Sequence, residues 1–413
     1  MHFTSLGMTL LRSLLAALPL ALAACGGGSG GTSAVAPTTS GAAAVAAPVT
    51  PVPGNRASLG QQIFSDANLS EPRGTACVAC HQANTGFASN HGSNIGVAIG
   101  SKPGFIGLRN AMTNAYTGFI PAFAFKTDAT ETEASGGHFW DGRADTLALQ
   151  ALAPFLNPLE MNNADRKSVV DKVAASVYAP LFRQEFGANI FSDTDAAFTQ
   201  LGVAIEAFER SVPLQSFSSK YDAMVRAQVT LTAPESRGMA LFMDAGKGNC
   251  AACHLMNPTS GKPEDSLFSE FTYYATGLPR NNAIPRNADP SFYDLGLCGP
   301  ERVAPVLPAD ALPGLTIENF CGKFRMPTLR NVADRQAFMH NGVFRDLRDV
   351  VRFYAGRNVD ATSNDLPARY QANIEKIKPP FNRRAADGPA LTDPEINDIV
   401  AFLRTLSDGY RVP

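Results

Sequence analysis

CVACHQANTGFASNHG, residues 77–92, decides how this chain is read. Cys77 and Cys80 are followed at once by His81. CAACH, residues 250–254, repeats the pattern with Cys250, Cys253 and His254. Two thiols one helical turn apart can add to the two vinyl groups of a haem. The next residue then presents an imidazole to the iron from the same side. C-x-x-C pairs also bind zinc, but zinc gives no reason for a histidine directly after each pair. Two covalently bound haems c are therefore expected, with His81 and His254 as iron ligands.

The segments leading into the two motifs resemble each other. SLGQQIFSDANLSEPRGTACVACH precedes the first and SRGMALFMDAGKGNCAACH the second. Each reads as a short amphipathic helix (Ile63 and Phe64; Leu241 and Phe242) followed by a Gly-containing loop. The second helix carries a capping box from Thr232 to Glu235, with Pro234 in its first turn. DTDAAFTQLGVAIEAFERSV has helical periodicity, and LTDPEINDIVAFLRTL is a helix boxed by Thr392 and Glu395. Alternating strand patterns are scarce. The expected fold is mainly α, with two cytochrome-c-like haem domains packed together, long loops and little β. The expected domains are residues 56–228 and 229–413, with the C-terminal helix free to pack back on the first domain.

The chain has 413 residues, 45% hydrophobic and 17% charged, which is enough for one large or two medium cores. A formal net charge of −2 gives no basic field for nucleic acid. At the N-terminus, Arg12 precedes the apolar run LLAALPLALAA, too short to span a membrane as a mature helix. LAAC, ending at Cys25, resembles a bacterial lipoprotein cleavage box. Residues 1–25 are thus expected to be a lipoprotein signal peptide, with Cys25 lipidated and the chain held in the periplasm at the outer membrane by its lipid alone. Residues 26–55, rich in Gly, Ser, Thr, Ala and Pro, read as a disordered tether. Of the seven cysteines, Cys298 and Cys321 remain. In an oxidising compartment they should pair and close the Pro-rich loop between them.

HFWDGRAD (138–145), FRMPTLRNVA (324–333) and FMHNGVFRDLRDVVRFY (338–354) resemble signatures of the di-haem bacterial cytochrome c peroxidase and MauG family. With both haem motifs, the resemblance covers roughly residues 57–410. It implies that hydrogen peroxide reacts at one iron, and that the other stores or relays oxidising equivalents. It also implies that Trp140, the only tryptophan, lies between the haems and that Glu160 moves the peroxide proton over the first iron. Gln150 and Pro154 match positions lining the same pocket. Asn110 matches a position near an inter-haem calcium ion, a cation that takes many oxygen ligands.

The resemblance also frames the remaining ligands. Plain peroxidases carry a histidine on the loop after the first motif. Here NIGVAIGSKPGFIGLRN (94–110) offers Val97, Ala98 and Ile99 instead, so a first site that stays open or water-bound is expected. His91 reaching back is the alternative. At the second haem, Leu347, Val350, Val351 and Tyr354 form one apolar helical face, and Tyr354 falls where peroxidases carry an axial Met and MauG a Tyr. A phenolate favours oxidised iron; a core Tyr bonded to a carbonyl, or ligation by Met326 or Met339, are the alternatives. His138 is expected beside Trp140, and His340 near a haem edge without an assigned role. The functional expectation is MauG-like: a high-valent haem state, shared through Trp140, that oxidises a periplasmic protein. The alternatives are a cytochrome c peroxidase fed by a small cytochrome or cupredoxin, and a non-enzymatic two-haem electron carrier.

Overall fold

Helices supply most of the regular structure in the computed structural model, which describes residues 55–359 and 364–413. They are α1 (Asn55–Phe64), α2 (Cys77–Cys80), α3 (Leu147–Leu156), α4 (Arg166–Ala174), α5 (Ala179–Phe186), α6 (Thr194–Glu209), α7 (Lys220–Val225), α8 (Ala233–Met243), α9 (Leu347–Gly356) and α10 (Asp393–Arg404). Among the described residues, strands form two antiparallel pairs: β1 (Ala124–Thr127) with β2 (Thr132–Ser135), and β3 (Tyr273–Tyr274) with β4 (Phe324–Arg325). The fold is mainly α with long irregular connections. Cys25 and most of the expected tether lie outside the described residues. Asn55, expected as the last tether residue, is already helical.

The chain uses one helix crossing twice. A Cβ on Gly60 of α1 would sit 1.9 Å from the Ala204 carbonyl oxygen of α6. A Cβ on Gly238 of α8 would sit 1.9 Å from the Asp398 carbonyl oxygen of α10. Only glycine permits backbones this close. Four residues after each glycine a phenylalanine meets its counterpart on the crossing helix. Phe64 lies 5.2 Å from Phe208 and Phe242 lies 5.3 Å from Phe402, centroid to centroid. Glu235 and Glu395 accept from the backbone N–H of Thr232 and Thr392 at 2.7 and 2.8 Å, closing both capping boxes.

Two apolar cores grow from these crossings. Leu59, Phe64, Leu201 and Phe208 belong to the first; Phe242, Phe268, Ile399 and Phe402 to the second. The C-terminal helix packs on α8 and α9 in the second core, not back on the first, because Ile396, Ile399 and Phe402 all face that cluster. Only the tail beyond it crosses over. Asp408 accepts from the hydroxyl of Tyr116 at 2.9 Å, from the amide of Ser218 at 3.0 Å and from Asn331 Nδ2 at 2.9 Å. Nearby, the fully buried Arg330 pairs with Asp222 through two 3.0 Å bonds and lies 4.7 Å from the Tyr116 ring centroid. Cys298 and Cys321 are joined, with their Cα atoms 5.0 Å apart.

A second duplicated unit positions the site. His138 bridges Ala144 and Phe338 bridges Phe344, each across a tight turn. Phe139 and Met339 both take positive φ, 66° and 69°, and Gly142 and Gly342 follow at 67° and 62°. Trp140 and His340 therefore sit at matching points of the two turns. Each turn feeds a helix capped by a side chain: Thr146 accepts from Leu149 N, and Asp346 from Arg348 N. Those helices are α3 and α9.

Candidate haem sites

Cys77 and Cys80 bound the single turn of α2, so both thiols face one cavity together with His81. His81 Nδ1 lies 3.0 Å from the Phe87 carbonyl oxygen. His254 repeats this with the Phe268 carbonyl at 2.8 Å, in a second cavity lined by Cys250 and Cys253. Facing a carbonyl, Nδ1 must donate, which leaves the Nε2 lone pair for a metal. Phe87 and Phe268 both hold positive φ, 57° and 52°, to aim those carbonyls. Burial lowers both imidazoles, His254 to about 4, so they stay neutral and able to ligate.

The first cavity is walled by Ala98, Ile99 and Gly100 from the 94–110 loop and by Gln150 and Pro154 of α3. Glu160 also lines it. Its carboxyl is buried, and desolvation pushes it up to about 7. Asn157 Nδ2 donates to Oε1 at 3.0 Å, and the charges of Arg143 and Glu301 act in opposite directions. His91 does not line this cavity; its Nδ1 is 2.9 Å from the Ile99 carbonyl oxygen. That bond turns the imidazole to the loop backbone, against the alternative in which it reaches an iron. His138 lines the same cavity as Trp140.

Leu347, Val350, Val351 and Tyr354 all line the second cavity, with Met326, Met339 and His340. Neighbouring buried tyrosines are bonded: Tyr273 donates to the Gly136 carbonyl at 2.7 Å and Tyr116 to Asp408. Tyr354 makes no hydrogen bond among the described residues; its ring rests 5.4 Å from that of Phe381. Burial raises its phenol, which therefore keeps its proton unless a cation replaces it. The core-tyrosine alternative, with its carbonyl partner, is not what is found.

Trp140 lines both cavities. Its Nε1 donates to the Asn110 carbonyl at 2.8 Å, and its ring meets His340 edge-on at 6.4 Å. His340 in turn stacks on Phe324 at 3.5 Å. Asn110 uses its side chain to join the halves. Its amide donates to the carbonyls of Ala337 and Met339 at 3.0 and 3.1 Å, while its oxygen accepts from Asn90. Among the described residues no cluster of three or more His, Cys, Asp or Glu gathers for a metal ion.

The residues present fit two haems. Among the described residues four unpaired thiols fall into two pairs, one pair per cavity, each with its own neutral histidine. Among the described residues two buried guanidinium nitrogens lack partners: Nη1 of Arg325, which lines both cavities, and Nε of Arg335, which lines the second. A buried donor left without a partner is costly. The carboxylates carried by a haem would satisfy both. The sequence alone does not mark Arg325, Arg335, Arg143 or Asn157 as cavity residues. Arg143 and Arg325 stood inside quoted signatures, but nothing local marks an arginine as cavity-lining.

The family description "di-haem cytochrome c peroxidase" matches residues 54–230. The methylamine utilization protein MauG of Paracoccus denitrificans is 34% identical over 367 residues, covering 86% of this chain and 89% of that protein. The chain belongs to the di-haem cytochrome c peroxidase and MauG family. Within it, the cytochrome c551 peroxidase of Pseudomonas aeruginosa is 25% identical over 363 residues, covering 86% of this chain and 80% of its own. The crystal structure of the diheme peroxidase BthA from Burkholderia thailandensis superposes with a TM-score of 0.78 at 39% identity, covering 88% of each chain. This family member is thus a di-haem oxidoreductase of peroxidase type, which implies hydrogen peroxide as oxidant and a protein as partner.

Proposed function

We propose that the chain is a MauG-like enzyme that uses hydrogen peroxide to oxidise a protein partner. The observation that carries this reading is the unbonded phenol of Tyr354 in the second cavity. With His254, it would hold the second iron in its oxidised form. At the first site His81 would be the protein's ligand, because Ala98, Ile99 and Pro154 offer no donor side chain. The thiol pairs Cys77 with Cys80 and Cys250 with Cys253 would anchor the two haems covalently. When bound, the haem iron supplies the two-electron reduction of the peroxide O–O bond.

The chain's own residues do the rest. Glu160, poised near neutrality, takes a proton from one peroxide oxygen and delivers it to the departing one. Asn157 fixes that carboxyl by its Oε1. Gln150 and Pro154 shape the pocket for a small oxidant. Trp140, contacting both cavities, passes electrons between them. The protein would be exported and tethered in the periplasm through Cys25, where an oxidising compartment suits haem attachment.

A second reading, peroxide detoxification with electrons from a small cytochrome or cupredoxin, is favoured by the similarity to diheme peroxidases. Simple electron carriage is set aside, since relatives are named as peroxidases. A spectrum of the resting ferric protein before and after one equivalent of peroxide tests the common part. Steady turnover with reduced cytochrome c, against modification of a co-purified protein, separates the two readings. Thioether ligation at the second haem would overturn the MauG-like one.

A further inference from the structure

Oxidising equivalents gathered at two buried centres need a way out to a protein that cannot enter. The chain's only tryptophan, Trp140, is 8% exposed and lies between the cavities. It can connect the centres to each other but not to the surface. Another redox-active side chain has to touch a haem and also reach solvent.

A phenol gives up an electron readily only if its proton leaves at the same time, because the oxidised phenol is a very strong acid. The partner of each hydroxyl therefore decides which tyrosine can serve. Tyr273 is buried and donates to a backbone carbonyl, which cannot hold a proton. Tyr221 shares a hydrogen bond with the Ser266 hydroxyl. Tyr116 and Tyr178 have carboxylate partners, Asp408 and Asp66, yet neither lines a haem cavity. Tyr354 is committed to the iron in the reading above.

Tyr274 meets every requirement. It lines the second cavity together with Cys253, the expected point of haem attachment. It donates to Glu270 Oε1 at 2.6 Å. Thr272 Oγ1 holds the same oxygen at 2.6 Å, fixing the acceptor. Glu270 is half-buried yet not among the residues lining the cavity, and the Lys378 side chain beside the phenol is 39% exposed, so the pair stands between the cavity and solvent. Lys378 Nζ stands 3.4 Å from the phenol oxygen and 5.1 Å from the ring centroid, and its other partners are Glu131 and Glu133 of the β1–β2 hairpin.

We propose that Tyr274, with Glu270 as its proton acceptor, is the exit through which oxidising equivalents leave the second haem for the protein partner. One electron passes from the phenol to the haem pair previously oxidised by hydrogen peroxide, and the phenolic proton moves to Glu270 Oε1. The neutral phenoxyl radical then takes one electron from the partner and recovers its proton from Glu270. Two such rounds use both oxidising equivalents of one peroxide. This inference rests on the peroxide-driven function proposed above.

The test uses the full-length di-haem protein, mixed with one equivalent of hydrogen peroxide and freeze-quenched for electron paramagnetic resonance. A reduced small cytochrome c serves as donor probe. The wild type should show a radical with tyrosyl hyperfine structure. Tyr274→Phe should lose that signal and slow oxidation of the probe. Glu270→Gln, which keeps the phenol, should slow radical formation about 10²-fold, the low end of what a positioned base contributes, and should raise the solvent isotope effect. An unchanged signal and probe rate in Tyr274→Phe, or an unchanged rate and isotope effect in Glu270→Gln, would overturn the exit while leaving the function intact. A wild type whose haem spectrum ignores peroxide would instead remove the function, and the exit with it.

Discussion

Pro154 and Tyr354 occupy the same place in the two duplicated units. Each is the eighth residue of its helix, α3 or α9, and each lines the haem cavity of its own half. The preceding turns match residue for residue in their left-handed positions. One helix register thus delivers a phenol to the second cavity and a side chain without any donor to the first. The asymmetry between the centres comes down to one position of a repeated scaffold.

Tyr354→Met should turn the second centre into an ordinary electron-transfer haem. A thioether favours the reduced iron relative to a phenolate, so its reduction potential should rise. A spectroelectrochemical titration that finds the potential unchanged would show that Tyr354 never bound the iron.

Glu160→Gln should slow the reaction with peroxide by about 10²–10⁴-fold, the usual worth of a positioned acid–base group. Burial raises this carboxyl to about 7, so it is protonated and inactive as a base below that pH and ionised above it. The wild-type rate should therefore climb as pH rises through about 7, and the variant should lose this rise. Stopped-flow mixing across pH 5.5 to 8.5 would decide.

Trp140→Phe should separate the two centres. It removes the indole shared by both cavities and its 2.8 Å bond to the Asn110 carbonyl. Peroxide should still be consumed at the first site while oxidation at the second lags. Simultaneous optical changes at both haems in the variant would rule out the relay.

Arg330→Met should cost about 3–5 kcal/mol, the penalty for leaving a buried carboxylate unpaired. Asp222 is fully buried and takes two 3.0 Å bonds from that guanidinium, its ion-pair partner, beside those from Ser219 N and Oγ at 2.9 and 2.7 Å. Changing both residues to apolar ones should be milder. Urea unfolding of the two single variants and the double variant would reveal the coupling.

Gly238→Ala should destabilise the second half by about 1–3 kcal/mol, as overpacking does. Its new Cβ would meet the Asp398 carbonyl oxygen at 1.9 Å, and helix backbone cannot simply step aside. Gly60→Ala should act in the same way on the first half. A melting midpoint unmoved by either change would contradict the crossing described.

The sequence showed what is local and repeated. Both haem motifs, both capping boxes and the inward face ending at Tyr354 rest on spacings of a few residues, and each can be read without knowing the partners. SLGQQIF and SRGMALF were visibly alike, but the reason for their shared glycine is a helix more than a hundred residues away. The correspondence of HFWDG with FMHNG was likewise hidden, because only the turn geometry aligns Trp140 with His340. Arg325 and Arg335 were illegible for a further reason. Their significance lies in missing partners, which is a property of the folded interior and not of the string.

The tail beyond α10 carries a consequence of its own. Asp408 clasps Tyr116, a member of the first apolar core, and Ser218 on one side and Asn331 on the other. Electron tunnelling decays exponentially with separation. The pace of traffic between the two pigments should therefore depend on a carboxylate that lines neither of their cavities.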